Sequence, residues 1–217
     1  MVRISAATWR LTVSRVVSVV EVTTTYLEMR SPSALRPASR ALPEHCEIAL
    51  VPHISADFSK FLYRSVGSEL YWADRLVLSR EQWQALVSAD GTETYVLSVN
   101  HAPAGYIELV SRVTGAADSP ATSPTTEVEI MYFGLFPEAT GQGLGGILLT
   151  EGISQAWTMD SRWETLPPVS RVWVHTCSLD GPAAIPNYEA RGLTVYRTET
   201  EDLDPQDGAT GLWPASS

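Results

Sequence analysis

Between Glu127 and Trp157 the hydrophobic pattern changes period. Val128, Ile130 and Tyr132 alternate in part with polar neighbours and lead into the apolar run Phe133–Phe136, a β-prone stretch stopped by Pro137. After Gly141, Gly143, Gly145 and Gly146, the apolar positions Leu144, Ile147, Leu148, the Glu151–Ile153 stretch and Trp157 recur at helical spacing. The same reading predicts strands over 16–29, 47–51, 94–99, 106–113, 171–176 and 193–198. Ser55 or Asp57 caps a helix carrying Phe58, Phe61, Leu62 and Val66, and Ser79 caps one running to Val87. Asn100–Gly105 is a hairpin turn and Pro182 opens a last helix near its first position. Residues 31–43 are a connector, 115–126 a mobile loop and 161–170 a linker. The order is hairpin-type strands, then strand–helix–strand–helix–strand, an α+β (mixed α/β) sheet with helices on its faces.

Glycines between a strand and a helix N-terminus let bare N–H groups point at an anion, with the helix dipole behind them. A phosphorylated ligand is the first inference, against the plainer reading of a loop that only packs a helix on a sheet. Gly141, Gly143 and Gly146 fit the dinucleotide pattern G-x-G-x-x-G, with Glu164 at about the distance of the ribose acid. Pro137–Thr140, however, separates strand from glycines where that pattern wants a tight join. No Lys-Ser or Lys-Thr follows, which excludes a Walker P-loop.

The turn Thr140-Gly141-Gln142-Gly143-Leu144-Gly145 resembles the (Gln/Arg)-x-x-Gly-x-(Gly/Ala) signature of the GNAT superfamily of N-acetyltransferases. Downstream, Ala184, Tyr188 and Gly192 match the superfamily's Ala-x-x-x-Tyr-x-x-x-Gly-Phe ending, with Leu193 a conservative replacement of the Phe, within a segment whose wording His-Thr-Cys-x-Leu-Asp resembles one bacterial subgroup. The resemblance covers roughly residues 42–200. It implies a central, mostly antiparallel mixed sheet, helices on both faces, and strands at Glu129 and Arg171 splayed into a V. It also implies acetyl-CoA as co-substrate, no metal, and direct acetyl transfer to a primary amine in a ternary complex. The same fold as a non-catalytic acyl-CoA-binding module is the alternative.

On that resemblance Phe133, Gly134 and Leu135 pair with the pantetheine amides. Thr140, Gly141, Gln142, Gly143, Leu144, Gly145 and Gly146 hold the pyrophosphate, and Asn187 adds a side-chain contact. Two positions depart from the pattern: Thr140 replaces Gln or Arg, and Gly181 stands where many members carry Asn. Glu129 is the expected general base, directly or through water, with Glu127 beside it on one strand face, where two like charges raise one pKa. Tyr188 is the expected general acid for the leaving thiolate. His175 is an alternative base and, with Glu127, Tyr71, Trp72 and Arg75, an acceptor contact; each also has a packing or solvated-charge reading. Cys177 reads as a structural thiol.

The 217 residues suit one domain, with an N-terminal extension at 1–15, the domain at 16–200 and a frayed tail at 201–217. Charged content of 18% excludes a disordered chain, and a net charge of −10 argues against nucleic acid while suiting a cationic amine. No run suits a membrane span. Two cysteines are too few for a disulfide framework, so the reading is a cytoplasmic protein acting on a small-molecule or peptide amine, with a homodimer left open.

Overall fold

A computed structural model describes residues 20–203 apart from 69, 71 and 116–122. Strands β1 (Val20–Met29), β2 (Cys46–Leu50), β3 (Thr92–Val99), β4 (Ala102–Thr114), β5 (Thr125–Leu135), β6 (Val169–Cys177) and β7 (Thr194–Leu203) form one sheet in the order β2-β3-β4-β5-β6-β1-β7. Every neighbouring pair is antiparallel except β5–β6. The dinucleotide alternative falls here, because a doubly wound domain needs a mostly parallel sheet.

Helices α1 (Ala56–Gly67) and α2 (Arg80–Val87) lie on one face, α3 (Leu144–Trp157) and α4 (Ala184–Ala190) on the other. Alternation assigns the faces: Ile107, Leu109, Val128, Ile130, Val172 and Val174 pack against Leu144, Leu148 and Ile153 of α3, while Val96, Tyr106 and Tyr132 meet Leu62, Tyr63 and Val66 of α1 and Trp83 of α2. Burial of each large apolar chain contributes about 1.5–3 kcal/mol. Both expected caps form. The Ser55 side chain accepts from Phe58 N, and Ser79 makes a capping box with Gln82.

Three boundaries differ from the sequence reading. The last strand runs to Leu203, so Glu201–Leu203, placed in the tail, pair with the start of β1. Helix α4 begins at Ala184, leaving Pro182 in the preceding turn. The hairpin is tighter than expected, with Asn100 and His101 both at positive φ (49° and 67°) between Val99 and Ala102. The expected N-terminal extension, and most of the expected 115–126 loop and of the tail, fall outside the described residues.

Two features position the site. Register shifts so that Leu109 opposes Ile130 while Glu108 opposes Tyr132, leaving Met131 as a bulge. Met131 and Tyr132 therefore both pack on the α1 side. Gly134 faces α1 so closely that a Cβ there would lie 2.3 Å from Val66 Cγ1.

Candidate functional site

The opening between β5 and β6 follows from their register. They pair from Thr126↔Val169 to Glu129↔Trp173, and pairing ends there although β5 continues to Leu135 and β6 to Cys177. The bulge at Met131 follows the last rung, and a bulge bends the strand that carries it. Phe133, Gly134 and Leu135 lie on the open arm of β5. They pair with β4 on one edge, and the edge facing β6 has no strand partner among the described residues.

At the far end of that arm Phe136 N donates to Ala104 O (2.8 Å) and a 3-10 turn, Pro137–Ala139, leads into the glycines. Gly141 and Gly143 adopt φ of 73° and 79°, in the left-handed region that favours glycine. Gly143 caps α3, whose first turn carries no acid and whose first N–H groups receive no side-chain cap. Those donors and the positive end of the dipole are available to an anion. Thr140 Oγ1 donates to Pro137 O (2.8 Å) and Gln142 Nε2 to Glu138 O (2.9 Å), so both side chains turn back and the turn presents backbone. Leu144 anchors the helix in the core at 3% exposure, while Gly145 and Gly146 lie beside Asn187.

Two arginines not foreseen in the sequence flank this turn. Arg40 Nη1 donates to Gln142 O (2.9 Å), and Arg191 lies against Gly146, where a Cβ would meet Nη1 at 2.5 Å. Arg191 Nε is buried without a hydrogen-bond partner among the described residues. Its position four residues after Asn187, on the same predicted helix face, was the available signal.

At the vertex of the V, Glu129 is 6% exposed and its Oε1 lies 3.0 Å from Nδ1 of His175, whose side chain is 44% exposed. The hydrogen bond to Glu129 raises the imidazole pKa above its ordinary value. Burial opposes this, and the charges of Glu129, Asp180 and Asp74 add to it. Three other carboxylates near the vertex are engaged. Glu127 pairs with Arg171 (2.9 Å), so the expected couple of bare like charges on β5 is not what forms. Asp74 accepts from Tyr63 (2.7 Å) and Tyr132. Asp180 accepts from Thr176 Oγ1 (2.5 Å), Cys177 N (3.1 Å) and Trp72 Nε1 (3.3 Å). Val110, Arg112, Glu127, Glu129 and Trp173 line a small cleft beside the pair.

Tyr188 is 5% exposed, with its ring 6.0 Å from that of Phe133 on the β5 arm. Burial, with Asp180 adding, drives its phenol well above the usual range, so the hydroxyl remains a donor at neutral pH. Burial also raises the Cys177 thiol. Trp72 packs on Tyr63 and Tyr132 (5.4 and 5.1 Å) and reaches Asp180, linking the α1–α2 connection to both arms of the V. Arg75 is 7% exposed and bonded to Glu108 through both terminal nitrogens (3.0 and 2.6 Å), which favours its packing reading over a role as an acceptor contact. Tyr71 lies outside the described residues.

The chain matches no protein-family profile and no curated protein sequence. It is similar to solved structures of a GCN5-related N-acetyltransferase from Kribbella flavida (18% identity, TM-score 0.51, 88% of this chain, 60% of that one) and another from Sphaerobacter thermophilus (12%, 0.52, 89%, 54%). A Drosophila protein is similar at 12% identity and TM-score 0.54, over 84% of this chain and 50% of its own. The chain thus spans half to three-fifths of the length of these structures. The likeness is one of fold: a mixed α/β, GNAT-like architecture with a seven-stranded mixed sheet.

Proposed function

We propose that this chain is an acetyl-CoA-dependent N-acetyltransferase acting on a primary amine. The observation that carries the reading is the union of an open V with a glycine turn at the end of one arm. An extended arm with amides fits the free edge of Phe133–Leu135, and a pyrophosphate fits the backbone donors from Gln142 to Gly146. Arg191, whose Nη1 lies against Gly146 and whose buried Nε has no hydrogen-bond partner among the described residues, is the cationic partner that Thr140 does not supply.

Acetyl-CoA brings an activated thioester. The protein aligns the two reactants, handles the protons and excludes competing water. Proton removal falls to the Glu129–His175 pair at the vertex. Tyr188, held protonated by burial beside Phe133, is the proton donor this reading assigns to the departing thiolate. Carboxylates near the opening favour a cationic acceptor, a small molecule or a peptide amine. Thermal unfolding with acetyl-CoA, free coenzyme A and NAD tests the reading. Ligand at 100 times its Kd stabilises by about 2.7 kcal/mol. A melting shift with the coenzyme A ligands and none with NAD is expected, and the absence of any coenzyme A shift refutes the proposal. A shift without thiol release from any primary amine indicates a binding module of the same fold.

A further inference from the structure

We infer that His175, through Nε2, takes the proton from the acceptor ammonium, and that Glu129 is its positioning residue. This rests on the transferase reading and prefers the alternative base of the sequence reading to Glu129, the base expected first. Glu129 has a 7% exposed side chain and meets His175 at Nδ1 (3.0 Å), while His175 is 44% exposed. An imidazole whose Nδ1–H is held by a carboxylate presents Nε2 as the acceptor. The hydrogen bond of His175 to the described residues is made through Nδ1, not Nε2. The competing bases are occupied: Asp74 by two tyrosines, Asp180 by three donors and Glu127 by Arg171.

The groups facing His175 agree. Glu129 reaches it from β5, Asp74 from the α1–α2 connection and Asp180 from the turn after β6, while Tyr26 of β1 and Trp173 give ring neighbours at 6.0 and 6.2 Å. The nearest cation along β6, Arg171, is held by Glu28 and Glu127. The charged partners are thus carboxylates, which favour the imidazolium formed when the proton arrives. In the step, an N–H bond of the ammonium breaks and an Nε2–H bond forms. The freed lone pair makes the C–N bond as the C–S bond breaks. The amine's second proton is balanced by the one the thiolate gains, so one net proton remains on the imidazole and returns to water.

The test combines histidine NMR with a pH profile. In protein labelled at its four histidines, His175 is assigned by loss of its signals in His175→Gln. The expected result is a neutral form protonated on Nδ1 and a titration midpoint above the ordinary imidazole value, lowered in Glu129→Gln. With any amine in a primary-amine panel that releases thiol from acetyl-CoA, kcat/KM rises with pH along that midpoint. The limb moves down in Glu129→Gln and disappears in His175→Gln, with a loss of about 10²–10⁴-fold. A neutral form protonated on Nε2, a midpoint unmoved by Glu129→Gln, or a limb surviving in His175→Gln overturns the assignment. A panel in which no amine releases thiol refutes the transferase reading, and the proton step with it, while the NMR still reports whether the pairing exists.

Discussion

Removing one partner of the Arg75–Glu108 pair separates a structural arginine from a substrate-binding one. Arg75 and Glu108 are 7% and 0% exposed, joined by two hydrogen bonds, with the guanidinium 4.4 Å from the Tyr132 ring centroid. Replacing Glu108 with Gln keeps the shape and leaves the arginine charge buried without a counter-charge, a change that costs about 3–5 kcal/mol. With a urea slope of about 2 kcal/mol/M, that lowers the unfolding midpoint by about 2 M. Arg75→Met strands the carboxylate and costs a similar amount. The double change Arg75→Met, Glu108→Met removes both charges and loses the contacts with the Tyr132 and Trp83 ring faces, so it falls within about 2 kcal/mol of the parent. The assay is equilibrium urea unfolding of all four proteins as a double-mutant cycle. If Glu108→Gln unfolds within about 0.5 kcal/mol of the parent, or the two single losses simply add, the buried-pair reasoning is refuted. The reasoning also places the effect in stability rather than in an acceptor KM.

Further expectations concern other parts of the fold. Gly134→Ala forces Val66 or the backbone to move and costs about 1–3 kcal/mol, and Val66→Ala in the same chain recovers part of it; equal losses with and without the second change would show that Val66 is not the obstacle. Arg191→Gln weakens coenzyme A binding about tenfold, measured by calorimetry, with the melting temperature of the free protein little changed. Burial pushes the Glu93 carboxyl up, but hydrogen bonds from Arg162, Tyr95 and Trp163 outweigh it and hold the pKa below the ordinary value. Its stabilisation is therefore complete above the ordinary carboxylate range and lost as pH falls through the folded value, so the urea midpoints of parent and Glu93→Gln converge on acidification. The raised His175 pKa works in the opposite direction. Its contribution is full below the unfolded imidazole value and disappears as pH rises through the folded one, so parent and His175→Gln converge in stability toward alkaline pH.

Local pattern made much of this legible. Val172, Val174 and Thr176 alternate and are buried, as their spacing implied, and Ser55 and Ser79 cap helices where hydroxyls precede apolar runs. The strand, glycines and helix from Thr125 to Trp157 were readable because each carries its own period or backbone requirement. What escaped depends on residues distant in the chain. Arg75 looks solvated until Glu108 arrives opposite it, and the Glu129–His175 contact joins the last paired residue of β5 to a residue of β6 two positions past the last rung. The bulge at Met131 leaves no mark in an apolar run, because one inserted residue changes the facing of its neighbours without changing their type.

The place of β1 bears on how the chain is made. It is the first described strand to leave the ribosome, yet both its neighbours, β6 and β7, come from the other end of the sequence. From Met29 to the end of β7 at Leu203 is 174 residues of further synthesis. At about 5–20 residues per second the nascent strand waits roughly 10–35 s with its valines and threonines unpaired. The rest of the sheet can form in that interval, but β7 has no neighbour until β1 enters between it and β6. Its late entry is thus the seam at which a translating chain is most exposed to wrong pairing.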